Sequence, residues 1–307
     1  MGSSWFTFNL GDFSYAFLSV LLEGVPFLIL GTLLSGLIDE FLPSRLMLRF
    51  LPRSRFWGVC AGAGLGLIFP MCECGIVPVI RRLIGKGLPI SHAMAYMLAA
   101  PIVNPLVAVS TFAAFRGQGA VEFTILRLSL GYAVAVAVSL AISGLPMARI
   151  LRPRLIASLG ETHDHDGPHA LPVRRRLTSA MHSGVRDFLD VLLYFILGVA
   201  IASVFSTAVN QKIILPFASN DWLAVATMMG LAGILALCST SDAFIAATFV
   251  AFPAAAKLAF LVFGPMMDLK LIFIYSSVFR KRFVLGLAAG LFVLIGLICV
   301  RLASTGL

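Results

Sequence analysis

Long apolar runs alternate with short polar, mostly basic stretches along this chain, and the pattern predicts helices that cross a membrane. A crossing helix needs about 20 apolar residues, and six segments reach that length without a cluster of polar residues. They lie at about Ser14–Ile38, Leu88–Phe115, Ala120–Leu145, Asp187–Phe205, Ala255–Phe279 and Phe283–Val300. The predicted fold class is therefore an all-α integral membrane protein with about six full transmembrane helices.

Two further apolar stretches are interrupted by polar residues near their middle. The stretch 56–84 is broken at 72–75 by the sequence Cys-Glu-Cys-Gly, and the stretch 222–252 is broken at 238–242 by Cys-Ser-Thr-Ser-Asp. Each predicts either a re-entrant hairpin of broken helices or a full crossing. The second reading gives eight full spans.

The positions of the basic residues favour the hairpins. The chain has 307 residues, of which 60% are hydrophobic and only 12% charged, with a net charge of +9. Cytoplasmic loops of membrane proteins carry the excess of Lys and Arg. With two hairpins and the N-terminus outside, the basic clusters at 45–55, 81–86, 149–186 and 280–282 all face the cytoplasm. Eight full spans would instead place the cluster at 81–86 or the linker outside, so the basic residues indicate membrane topology and not nucleic-acid binding.

The two halves of the chain repeat the same landmarks in the same order. The spacing from a membrane acid to the cysteine of the following break is 49 residues in the first half and 48 in the second. A proline followed three residues later by Asn or Asp comes next in each half. The matched pairs are Glu23/Asp190, Cys72/Cys238 and Asn104/Asp268.

This repeat predicts two membrane units, 1–146 and 185–307, joined by a polar cytoplasmic linker at 147–184. If each unit crosses the membrane three times, the two have opposite orientations. Inverted repeats with broken helices at matching positions are typical of secondary transporters. The expected location is the bacterial inner membrane.

Five carboxylates lie within or beside apolar segments, where one charged side chain costs about 3 kcal/mol on insertion scales. They are Glu23, Glu73, Asp190, Asp242 and Asp268. They indicate a substrate or proton pathway, and the candidates for proton coupling are Glu23, Glu73, Asp190 and Asp242. The alternative is that some cap broken helices or pair with Lys270.

Three cysteines stand at the breaks, and a pseudo-two-fold axis would bring them together. Soft thiolates select soft or borderline ions, so Cys72, Cys74 and Cys238 are candidate metal ligands. Buried cysteines are also common as small apolar residues, which suits Cys60 and Cys299 better. The predicted substrate-binding set combines these thiols with polar neighbours: Cys72, Glu73, Cys74, Asn104, Cys238, Ser239, Asp242 and Asp268.

The linker contains a second, weaker candidate for metal binding. His163, His165 and His169 alternate with acidic residues, and such tracts bind Zn or Cu in some proteins. A polar linker of this kind can equally have no specific role. The chain shows no phosphate-binding loop, so we expect neither an ATPase nor any cofactor, and no enzymatic activity.

The motifs at 72–78 (Cys-Glu-Cys-Gly-Ile-Val-Pro), 100–105 (Ala-Pro-Ile-Val-Asn-Pro) and 238–242 resemble the signatures of a bacterial predicted-permease family. That family includes organoarsenical efflux permeases, and the resemblance covers nearly the whole chain except the linker. The His-bearing linker is similar to a subgroup described as Cu/Zn efflux transporters. The resemblance implies an inner-membrane exporter with Cys72, Cys74 and Cys238 as candidate ligands.

These observations predict a permease that exports a thiophilic metal or metalloid species by proton-coupled alternating access. Its expected partners are membrane lipid and a small metal or metalloid substrate, with homo-oligomerisation left open. Two alternatives remain at this point. One is a membrane thiol oxidoreductase that uses Cys72 and Cys74 as a redox pair, and the other is a permease for a non-metal solute.

Overall fold

The computed structural model describes residues 10–41, 54–153, 173–208, 216, 218 and 220–304. Within these ranges the chain forms helices and no β-strand. In chain order the helices are α1 (Leu10–Phe41), α2 (Arg55–Ile68), α3 (Ile76–Gly85), α4 (Ile90–Ala99), α5 (Pro105–Ala114), α6 (Ala120–Ile142), α7 (Met147–Ile150), α8 (Val173–Ala208), α9 (Asp221–Leu235), α10 (Asp242–Thr248), α11 (Ala254–Met266), α12 (Leu269–Val278) and α13 (Lys281–Ser304).

The long helices have the length and composition of membrane spans. Among the described residues, five segments are long and apolar enough to cross: Leu10–Ile38, Ala120–Ile142, Arg175–Thr207, Ala254–Val278 and Lys281–Ser304. Large apolar side chains on these helices point outwards, as at Leu22, Leu30, Ile125, Leu189 and Val293. A contiguous apolar exterior is unfavourable in water and favourable in lipid. The protein is an all-α integral membrane protein, as the sequence predicts.

Both predicted breaks are present. The helix α2 ends at Ile68 and α3 begins at Ile76, so residues 72–75 are not helical. Residues 238–241 are likewise not helical, but Asp242, which was expected to lie in the second break, is the first residue of α10. An acidic side chain in the first turn of a helix is favoured by the helix dipole, which accounts for that one-residue difference.

Two segments predicted as single spans each consist of two helices. The segment 88–115 divides into α4 and α5, and 255–279 divides into α11 and α12. In both cases a polar residue caps the second helix: Asn104 accepts a hydrogen bond from the Leu106 amide, and Asp268 accepts one from the Leu271 amide. The first helices, α4 and α11, are mostly apolar and are buried along nearly their whole length, as expected for central helices.

The order of helices repeats between the halves, with α1–α6 matching α8–α13. The matching extends to packing, because α2 contacts α4 as α9 contacts α11, and α4 contacts α6 as α11 contacts α13. Between the halves, α3 contacts α12 and α10 contacts α5. The inverted orientation and the unit boundaries stay predictions, although α8 begins at Val173, inside the expected linker 147–184.

Candidate functional site

The candidate site is a pocket where the two breaks meet α1 and α8. It encloses about 280 Å³ of space, its opening included. The first break contributes Cys72, Glu73 and Cys74, the second break contributes Cys238, and α12 contributes Lys270. The remaining lining comes from α1 and α8: Val20, Glu23, Gly24, Phe27 and Phe195. The cysteines predicted from opposite halves therefore do line one pocket.

Local sequence explains why each break has the shape it has. At the first, Gly75 lies so close to α1 that a Cβ there would be 2.8 Å from the Phe27 carbonyl oxygen. At the second, Ala236 caps the C-terminus of α9 with φ = 49°. That left-handed conformation is common for a residue that ends a helix but uncommon for alanine. It turns the chain out of α9 directly before Cys238.

Glu73 is the most enclosed carboxylate of the pocket, with 1% of its surface exposed. One of its oxygens lies 3.1 Å from the Lys270 ammonium, and the other accepts a hydrogen bond of 3.4 Å from the Ser239 hydroxyl. Glu73 belongs to the first half, whereas Lys270 and Ser239 belong to the second. Glu73 and Ser239, both in the predicted substrate-binding set, are thus in direct contact across the two halves.

The Lys270 ammonium is surrounded by oxygen atoms. Besides Glu73, it donates to the carbonyls of Ala236 (2.9 Å) and Leu237 (3.2 Å), and it lies 3.4 Å from a carboxylate oxygen of Asp268. The sequence suggested Lys270 as a partner for some of the membrane carboxylates, of which Asp268 is two residues away. Its contacts with Glu73 and with the end of α9 depend on the packing of the halves, and no spacing in the sequence indicates them.

Asp242 does not line the pocket but lies behind the second break. Its two carboxylate oxygens are 2.7 and 2.9 Å from Nη2 of Arg127 on α6, which also donates to the Ser239 carbonyl at 2.9 Å. The other terminal nitrogen of Arg127 donates to Thr111. Sequence reasoning missed Arg127, although an arginine in the middle of an apolar span is itself a signal of a functional or pairing role.

The remaining acidic candidates separate into two groups. Glu23 lines the pocket and accepts a hydrogen bond of 2.9 Å from Ser241, so α1 is tied to the second break. Asp190 does not reach the pocket: its side chain is 51% exposed and forms an ion pair of 3.0 Å with Arg81. The neighbouring Asp187, buried and bound by Arg82 and Ser35, takes part in the same interface between α8, α3 and α1.

Asn104 and Asp268 have structural roles that their residue types explain. Both accept a backbone amide at the start of a helix, as Asn and Asp commonly do at N-cap positions. Asp268 also contacts Lys270, and so it belongs to the shell around the pocket. Asn104 is not among the residues that line the pocket.

The thiols of the pocket are free. Among the described residues, no three His, Cys, Asp or Glu side chains are arranged closely enough to hold a metal ion as they stand. His163, His165 and His169, the weaker metal candidates, lie outside the described residues. Cys60 and Cys299, the two remaining cysteines, do not line the pocket.

These features define a class of protein: a polytopic helical membrane protein whose helices are broken where they line a cavity with thiol and charged side chains. Broken helices within the membrane occur where protein or a cavity satisfies the freed backbone groups. The chain matches a family described as predicted permeases over residues 9–304. The protein belongs to this predicted-permease family.

Relatives from bacteria support this assignment. The chain is 37% identical over 269 residues to the UPF0718 protein YcgR of Bacillus subtilis, covering 87% of this chain and 89% of the relative. It is 34% identical over 270 residues to a Streptococcus mutans protein named as a subunit of a two-component membrane permease complex, covering 88% of this chain and 87% of the relative. A shorter match, 32% over 81 residues, covers 26% of this chain and 23% of the UPF0718 protein YraQ of Escherichia coli. No solved structure matches the chain.

Proposed function

We propose that this permease exports a thiophilic metal or metalloid species across the bacterial inner membrane through the pocket between the two breaks. The observation that carries the proposal is that Cys72, Cys74 and Cys238 line one pocket although they come from opposite halves. Thiols at this place provide soft ligands. In secondary transporters, discontinuous helices form the substrate site at the interface between repeats. The breaks beside this pocket resemble that arrangement.

The proposed binding step moves the breaks. Because the thiols do not form a ready coordination group, a thiophilic substrate must draw the first and second breaks together to bind sulfur from both. Each thiol that binds as thiolate releases its proton. Such a movement links substrate binding to a change in the contact between the halves, as alternating access requires.

Energy for export is proposed to come from the proton gradient. Glu73 and Asp242 are already engaged by Lys270 and Arg127. Glu23 lines the pocket, accepts a hydrogen bond from Ser241 and forms no ion pair among the described residues. It is therefore the best placed of the acidic candidates to carry a coupling proton. Asp190, which lies in the exposed pair with Arg81, is the least suited to that role.

The test uses the protein in vesicles supplied with Zn²⁺, Cu⁺ or a trivalent arsenical as separate probes. Cys72→Ser and Cys238→Ser keep the side-chain size but replace a soft sulfur with a hard oxygen. We expect each to weaken binding by about 100-fold or more, since even residues that only support a metal ligand contribute ~10–100-fold in affinity. Cys60→Ser and Cys299→Ser are the matched controls and should transport as the unmodified protein does.

Two outcomes would contradict the proposal. Normal transport by the variant with Cys72, Cys74 and Cys238 all replaced by serine would exclude thiolate ligation and favour a non-metal solute. A Cys72–Cys74 disulfide that forms and is reduced during turnover, while the Cys238→Ser variant stays active, would favour the thiol oxidoreductase.

A further inference from the structure

The contacts of Lys270 form a group of oxygen atoms beside the pocket thiols. Four oxygen atoms face its ammonium: the carbonyls of Ala236 and Leu237 at 2.9 and 3.2 Å, a Glu73 oxygen at 3.1 Å and an Asp268 oxygen at 3.4 Å. We name this group the oxygen cage. An ammonium has three protons to donate, so its donors are fully used within the cage.

The charges of the cage favour a cation. It contains two carboxylates, both almost fully buried, against one ammonium. The two carbonyls belong to the C-terminal end of α9, where the helix dipole is negative. In transporters with broken helices, unwound carbonyls and helix C-termini are groups that coordinate coupling cations. The cage has this composition, and an ammonium occupies its centre.

The packing of the backbone around Lys270 sets the position of this residue. Lys270 lies in the first turn of α12, two residues after the N-cap Asp268. The helix α8 approaches it closely at Gly198, where a Cβ would lie 2.9 Å from the Lys270 Cα. The side chain then spans from α12 to the first and second breaks, which it holds together.

We propose that the oxygen cage is a site for a monovalent cation and that Lys270 is its tethered occupant. When the lysine side chain is removed, a free monovalent cation or a small alkylammonium takes its place. The distances from the ammonium to the oxygens are longer than the ~2.3–2.6 Å of Ca²⁺–oxygen bonds, so the cage suits a larger, singly charged ion. In the unmodified protein no inorganic cation is then needed to hold the two breaks together.

The test measures the thermal unfolding midpoint of purified protein in detergent at matched ionic strength. The unmodified protein should have the same Tm in potassium chloride as in choline chloride. Lys270→Ala should have a lower Tm in choline chloride, and potassium chloride or propylammonium chloride should raise it by several degrees in a concentration-dependent way. Choline is too large to enter the cage and serves as the reference cation.

Matched variants separate a cage effect from a general salt effect. Lys257→Ala removes a buried lysine that contacts Gln118 and lies outside the cage, and its Tm should not depend on the cation. Lys270→Ala combined with Glu73→Gln removes one cage carboxylate and should reduce the shift. If Lys270→Ala does not yield folded protein, Lys270→Ser also leaves the cage open and allows the same comparison.

The proposal is overturned if the folded Lys270 variant has the same Tm in potassium, propylammonium and choline chloride. It is overturned equally if the shift is as large in Lys257→Ala. Neither result depends on the thiols or on the transported species, so it is distinct from a failure of the proposed permease function.

Discussion

At the scale of residues, the two buried acids next to the breaks are each neutralised by a base from the other half of the chain. Glu73 of the first half pairs with Lys270 of the second, and Asp242 of the second half pairs with Arg127 of the first. A buried charge without its partner is strongly destabilising, whereas the intact pair adds little net stability. Both pairs therefore act mainly to require that the two halves meet in one arrangement.

A double-mutant cycle on Arg127 and Asp242 tests this role. Arg127→Ala and Asp242→Ala should each lower the free energy of unfolding by about 3–5 kcal/mol, because each leaves an uncompensated buried charge. The double variant should lose clearly less than the sum of the two. The measurement is the shift in thermal or denaturant midpoint of the purified protein.

Arg116→Ala is the control for that cycle, because Arg116 is exposed in the turn between α5 and α6 of the same half. We expect a change within about 0.5 kcal/mol, as is usual for surface substitutions. Strictly additive losses in the Arg127 and Asp242 variants would show that the two residues do not act as a pair.

At the scale of elements, contact between α1 and the first break depends on two glycines. A Cβ on Gly31 would lie 2.2 Å from the carbonyl oxygen of Gly75 and 2.6 Å from its Cα. Both neighbours are backbone atoms that cannot rotate away. The close approach fixes the position of α1 relative to Cys72, Glu73 and Cys74. It therefore helps to shape one wall of the pocket.

Gly31→Ala should displace the first break and destabilise the protein by about 1–3 kcal/mol, as overpacking does. Substrate binding should weaken with it, since the thiols move. Gly64→Ala is the matched control, because no atom lies within 4 Å of a Cβ at Gly64 on α2. There the change should stabilise by about 0.5–1 kcal/mol through helix propensity. Effects of the same sign in both variants would contradict the assigned contact.

At the scale of the whole molecule, the repeated order of helices brings both breaks to one place. The helix α3, which follows the first break, contacts α12, and α10, which follows the second break, contacts α5. In these reciprocal contacts, the helix after each break packs against a helix of the other half. An internal two-fold arrangement produces this pattern. If the two breaks are hairpins, as the sequence predicts, the halves point in opposite directions across the membrane.

Labelling of introduced cysteines with a membrane-impermeant maleimide tests the topology. With two hairpins and the N-terminus outside, Lys86→Cys should react only from the cytoplasmic side, and Arg116→Cys only from outside. The physical reason is the basic cluster at 81–86, which the positive-inside rule retains in the cytoplasm. Eight full spans with the N-terminus outside predict the reverse for both positions, and unsubstituted protein controls for reaction of the native cysteines.

Much of the fold could be predicted because its signals lie close together in the chain. Membrane class follows from run length and charge content, and the breaks at 72–75 and 238–241 follow from polar residues within apolar runs. Local spacing is enough for these, since backbone geometry is set by neighbours. The division of 88–115 and 255–279 into two helices each was not predicted, although prolines stand near Asn104 and Asp268.

The sequence by itself determined the class of protein, the repeat and the cysteines at the breaks. Only the tertiary structure decided which charges meet: Glu73 and Lys270 are 197 residues apart, and Arg127 and Asp242 are 115 apart. It also placed Glu23 in the pocket and Asp190 outside it, although the repeat matches the two. The physical reason is that an ion pair depends on how helices from different halves pack, and spacing along the chain carries no information about that packing.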